Sequence, residues 1–253
     1  MTRTPDGPAP PPAVQRLRLR YAKRGRLRFS SHRDFQRAFE RALRRAGVPM
    51  AYSAGFTPHP KVSYANSAAT GVASEAEYVE ISVTQRRDPD WVRAALDASL
   101  PPGLDVLEVV EAAPGSSLAD RLEASVYQIR LEGVGCDQAL AAVQQLMDRE
   151  RVEVQRLTKN GMRRFDVRLP VSSLTAQAEA VPGGSAAGDG PCAILRLVVR
   201  HTTPAVRPDD VLEALRQVAD LAPPVPPQVT RLAQGPLDAV ASGVSDPLVP
   251  DRA

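Results

Sequence analysis

Along the first part of the chain, Leu17, Leu19 and Tyr21 alternate with Arg16, Arg18 and Arg20. That period of two predicts a half-buried strand over about residues 15–21. Lys23-Arg24-Gly25 reads as a turn, and Leu27 and Phe29 lead into a helix. The period then lengthens. Phe35, Ala38, Phe39, Ala42, Leu43 and Ala46 follow the spacing of a helix with one buried face. Ser31 is placed to cap it, Asp34 completes a capping-box pair, and Gly47 with Pro49 marks its end. Short strands are expected near 49–52 and 61–65, and Tyr78 to Val83 alternates as a further strand. Asp88-Pro89-Asp90 opens a helix over 91–100, and residues 104–110 return as a strand.

The second half repeats this order. Strands are expected at 125–131, 152–157, 162–169, 192–201 and 229–233, with helices at 137–147 and 208–219. Asn160-Gly161 is a strong hairpin signal between the second and third of these strands. The Gly/Ser/Ala-rich stretch 176–190 reads as a flexible insertion. The expected fold class is α+β, two tandem ferredoxin-like (βαββαβ) halves with antiparallel sheets, against the alternative of one mixed α/β domain. The halves fall at 14–113 and 122–234. Residues 1–13, rich in proline, and 235–253 are expected to be disordered tails.

Charge alters this picture. The chain has 253 residues and a formal net charge of +3. Arg16 to Arg45 holds twelve basic residues against Asp34 and Glu40, a net of +10, which leaves the remainder at −7. Such asymmetry fits a polyanion-facing surface. The competing explanation is composition: lysine occurs only at 23, 61 and 159, so arginine is abundant everywhere. Cys136 and Cys192 alone exclude a disulfide framework and any Cys-only metal site. There is no apolar run of membrane-spanning length and no apolar core at the N-terminus, so no membrane contact and a cytoplasmic location are expected.

Candidate chemistry gathers in the first half. His32 and His59, with Lys61 and Tyr64, are residue types able to bind or cleave RNA without metal. The plainer reading is that His32 hydrogen-bonds at a helix start and His59 fits its loop. Two His without HxxxH or HExxH spacing are a poor metal set, and no cofactor is assigned. Phosphate loops, dinucleotide fingerprints, nucleophile elbows and three-Cys radical motifs are absent from the sequence. Arg33, Arg37, Arg41 and Arg44 form a helical stripe and, with Lys61, are the candidate nucleic-acid contacts. Phe56 and Tyr64 are candidate base-stacking residues, or anchors pinning the 55–71 loop to the core.

The segments Leu17–Gly25, Arg28-Phe29-Ser30-Ser31-His32-Arg33-Asp34, Arg41–Gly47, Tyr52–Lys61 and Gly71–Tyr78 resemble the radical SAM-linked protein family, a bacterial domain of unknown function of the DUF2344 type. The matching positions are His32, Asp34, Gly55, Phe56, Pro58, His59, Pro60, Gly71, Ser74 and Glu77. Arg33 stands where the family pattern has Leu. Members are encoded beside or fused to a cobalamin-binding radical SAM protein, often near a ribonuclease of the E/G type. The resemblance therefore implies a radical SAM partner, a stand-alone form of the domain and no transferable activity. The functional expectation is a non-enzymatic accessory subunit that binds RNA or a ribonucleoprotein. The alternatives are a metal-independent RNA-processing enzyme using His32 and His59, and a protein–protein scaffold.

Overall fold

The computed structural model describes residues 10–115, 117–158, 161–179, 190–238 and 243–252. Among these residues it is a mixed α+β structure with four α-helices and mostly antiparallel strand pairing. The chain divides into two compact units. One comprises the residues up to Arg121 together with those from Pro247; the other is Leu122–Asp246.

In the first unit, β1 (Gln15–Lys23), α1 (His32–Arg45), β2 (Val62–Ala65), β3 (Ala73–Val83), α2 (Pro89–Asp97) and β4 (Leu104–Glu111) follow one another. The strands lie side by side as β4-β1-β3-β2. Leu17, Leu19 and Tyr21 of β1 are buried with Val79 and Ile81 of β3, Phe35, Phe39 and Leu43 of α1, and Val92 and Leu96 of α2. The intervening Arg16, Arg18 and Arg20 take the other sheet face, as the alternation of a strand demands. The Tyr21 and Phe35 rings stack with centroids 4.4 Å apart.

Local chemistry sets the bounds of α1. The Asp34 amide donates to Ser31 Oγ at 3.2 Å, and the Ser31 amide donates to the Asp34 carboxylate at 3.3 Å. This is the expected capping box. At the other end Gly47 turns to φ +66°, a conformation that costs glycine nothing. A short 3-10 turn, Gly25–Phe29, precedes the helix where only a lead-in was expected.

The second unit runs β5 (Ala124–Glu132), α3 (Cys136–Met147), β6 (Glu153–Thr158), β7 (Gly161–Asp166), β8 (Val171–Ala178), β9 (Cys192–Arg200), α4 (Pro208–Ala219), β10 (Gln228–Gly235), β11 (Leu237–Asp238) and β12 (Gly243–Val244). Its main strands lie side by side as β10-β5-β9-β8. β6 and β7 form the expected hairpin, but as a separate two-stranded ribbon.

Two expectations need correction. The insertion proposed at 176–190 begins inside β8, where Ala176, Gln177 and Ala178 pair with Leu195, Ile194 and Ala193 of β9. Residues 180–189 of that insertion lie outside the described residues. The tail from 235 is also ordered at its described positions. Residue 235 closes β10, 237–238 pair with 243–244, and Val249–Asp251 forms a 3-10 turn. Asp251 anchors that turn in the first unit. Arg18 Nη1 donates to both of its carboxylate oxygens at 2.7 and 2.9 Å, Arg121 donates at 2.6 Å, and the Ala113 amide at 2.9 Å. The expected tail at 1–13 falls largely on residues 1–9, outside the described residues.

Candidate nucleic-acid interface

The basic residues between 16 and 45 fall into two classes. Those of β1 and its end are neutralised. Arg16 lies 3.6 Å from Glu80, and Arg18 is bound by Glu80 and Asp251. Arg20 faces Glu108 at 3.8 Å, and Arg24 pairs with Glu75 and Asp105. Lys23 is buried, and its ammonium donates to the Ala68 and Ala69 carbonyls at 3.3 and 3.4 Å.

The second class is different. Among the described residues, no carboxylate lies within ion-pair distance of Arg26, Arg28, Arg33, Arg37, Arg41, Arg44 or Arg45. Arg33, Arg37, Arg41, Arg44 and Arg45 are all exposed on α1. Ser31 pulls the Asp34 carboxyl below the ordinary carboxylate range through hydrogen bonds, with a smaller contribution from the field of Arg37 and Arg33. Toward the helix C-terminus, Arg41, Arg44 and Arg45 form one wall of an open cleft of about 750 Å³, with residues 98–101 opposite. Arg45 reaches across it to donate to the Ser99 carbonyl at 2.8 Å. The helix C-terminus itself favours cations, which accounts for Arg44 and Arg45 but not for Arg33 and Arg37 at the other end.

The matched motif residues occupy two neighbourhoods. In the first, His32 at the start of α1 is engaged through both ring nitrogens. Nδ1 lies 3.0 Å from Ser67 Oγ and Nε2 lies 2.9 Å from Gln36 Nε2. Its ring meets Tyr64 edge-on at 5.1 Å. Gly71, at φ +93°, donates its amide to the Arg28 carbonyl at 2.8 Å, tying this loop to the 3-10 turn. Beneath it, Ser74 and Glu77 are buried, and Glu77 accepts the Ala68 amide at 3.1 Å. Ser67 and Gln36, which hold His32, carried no sequence signal, and neither did the burial of Lys23.

The second neighbourhood is the 53–60 loop. Gly55 takes φ +134° and Phe56 is 71% exposed. His59 and Pro58 are exposed, and Pro60 forms a bridge with Tyr52. Hydrogen bonds between Ser53 and the His59 backbone close the loop at 2.9 and 3.1 Å. Lys61 follows with an exposed side chain. No hydrogen bond or ring contact joins His32 to His59 among the described residues. Tyr64 belongs to the aromatic core, against Phe35 and Phe39, whereas the Phe56 ring is exposed. The remaining histidine, His201, sits in the second unit between Ser125 Oγ at 2.8 Å and the Leu122 carbonyl at 2.6 Å. Burial pushes its pKa down, so it is neutral there.

A family of uncharacterised proteins conserved in bacteria, DUF2344, matches residues 16–208. The chain belongs to that family. Comparison with curated proteins finds no match. The DUF2344 match takes in β1, the 3-10 turn, α1 and both motif neighbourhoods, and it ends at the first residue of α4. Pro247–Arg252, which carries Asp251, lies beyond it. Among the described residues of this DUF2344 chain, no helix is long and apolar enough to cross a membrane. No cluster of three or more His, Cys, Asp or Glu has metal-binding placement among them either.

Proposed function

We propose that this DUF2344 protein is an RNA-binding accessory subunit that presents its RNA to a separate, cobalamin-binding radical SAM protein. The observation that carries the RNA reading is the uncompensated arginine row of α1. Arg33, Arg37, Arg41 and Arg44 rise along the helix in steps of about 4.5–6 Å, the scale of successive phosphates along a strand. Among the described residues their guanidinium groups have no ion-pair partner to leave, so binding phosphate costs them mainly hydration. The Arg41–Arg45 cleft extends this face, and the 53–60 loop with Lys61 and Phe56 is the candidate source of selectivity. We read both units as ferredoxin-like, because β4-β1-β3-β2 and β10-β5-β9-β8 place the strands in the same order relative to their helices. The radical SAM partner rests on the family resemblance alone.

The test is direct. Changing Arg37, Arg41 and Arg44 together to Glu should abolish RNA retention in filter binding while leaving the circular dichroism spectrum unchanged. Retained binding would reduce the row to a solvated helix face. For the partner, purification from the native host with and without ribonuclease should retain a radical SAM protein, and its absence in both preparations would remove that part of the reading.

A further inference from the structure

The β6–β7 ribbon is built in two halves with different tasks. Its base is anchored. Val154 and Phe165 pair across the strands and are buried. Arg156 lies over the Phe165 ring at 4.8 Å, pairs with Asp210 of α4 at 2.6 Å and donates to the Ala205 carbonyl at 3.1 Å. The outer half does nothing for the core. Leu157 and Met162 are directly paired on one face, yet they are 75% and 62% exposed. Arg163 and Arg164 are exposed as well. Arg164 has a loose 3.8 Å contact with Glu153, a carboxylate that Arg151 also holds.

Isolated exposed apolar residues need no explanation, but two large ones in register make a continuous aliphatic plate. Strand alternation puts Gln155 and Arg164, themselves a cross-strand pair, on the same face as that plate. They lie one pair further from the tip, about 7 Å along the strands. The face thus offers an apolar plate, then an amide beside a guanidinium. Between Glu153 and Asp166, the next cross-strand pair on this face, the sequence contains no acidic residue, so the outer half of the ribbon carries only basic charge. A protein partner would use the plate but has no need of this spacing. An unpaired nucleotide does: its base covers the plate, its edge meets the Gln155 amide, and its phosphate reaches Arg164.

We propose that the outer half of the β6–β7 ribbon is a second RNA contact, which receives an unpaired nucleotide on Leu157 and Met162 with its phosphate on Arg164. It rests on the RNA-binding reading, but the site is in the other unit and uses none of the α1 residues.

The full-length protein is tested with a mixed-sequence single-stranded RNA of about 20 nucleotides, and with the same strand in a duplex. Leu157→Ser combined with Met162→Ser should weaken single-strand binding about tenfold, the loss expected for uncovering one large apolar contact. The salt dependence should stay unchanged. Arg164→Ala should instead reduce the slope of log affinity against log salt by about 0.7, the value of one phosphate contact on a single strand. Ultraviolet crosslinking of the unaltered protein should label the peptide containing Met162. The duplex should show neither effect. Both ribbon variants binding like the parent, while the Arg37/Arg41/Arg44 variant loses binding, would overturn the proposal and leave the α1 reading standing. A ribbon variant that instead loses a nuclease-resistant protein partner would overturn it too. A parent that binds neither RNA would remove both readings together.

Discussion

The Tyr64 hydroxyl is buried and has no hydrogen-bond partner among the described residues. Burial pushes its pKa up, and the Glu40 carboxylate adds to the shift, so the phenol stays protonated. A buried hydroxyl that has given up water without a replacement destabilises the fold, and removing it at constant shape relieves that cost. Tyr64→Phe keeps the ring against His32, Phe35 and Phe39. It should leave thermal stability equal or raise it by up to about 1 kcal/mol, read as the unfolding midpoint. A clear loss would mean that the hydroxyl has a bonding partner in solution. His32 shows the opposite condition, with both ring nitrogens already engaged by Ser67 and Gln36. A general base at this position would first have to release one of them, which weighs against proton transfer by His32 in the resting arrangement.

At the scale of elements, α1 was legible because its signals are local. Ser31, Asp34 and Gly47 act within one turn of the residues they cap, and the apolar spacing between them has one reading. Ser31→Ala should therefore cost about 1 kcal/mol of stability, measured by urea unfolding, while RNA binding survives because the arginine row is retained. Lost binding at unchanged stability would tie Ser31 to the ligand instead. β8 was not legible, and the cause is also specific. Its ladder shifts register between Val171 and Ser173, so buried Val171 and Leu174 fall on opposite parities and the alternation that betrays a strand disappears. The 3-10 turn at Gly25–Phe29 is too short to impose a period. For the candidate site, the arginine row was visible from helical spacing alone. Its separation from the neutralised arginines of β1 was not, since Glu75, Glu80, Asp105 and Glu108 reach those residues only through strand pairing.

At the scale of the molecule, the chain leaves the first unit after Arg121, builds the second, and returns at Pro247. Nothing local announces that return, because Arg18 and Asp251 are 233 residues apart. Both side chains are fully buried, and Arg121 and the Ala113 amide complete the shell around the carboxylate. Burial alone would raise the Asp251 pKa, but the hydrogen bonds from Arg121 and Arg18 outweigh it and hold the carboxyl below the ordinary range. Asp251→Asn removes the charge that faces both Arg18 and Arg121. Breaking one partner out of a buried ion pair costs about 3 kcal/mol, and the unfolding midpoint at neutral pH should fall accordingly. The sign of the pH effect follows from the depressed pKa. The contribution is fully present above the unfolded value of about 3.9 and is lost as pH falls through the lower folded value. The gap between parent and Asp251→Asn should thus hold constant near neutrality and close only below about pH 4. A gap that persisted unchanged into strong acid would show that the variant acts through packing, and that the return of the chain to the first unit is not secured by charge.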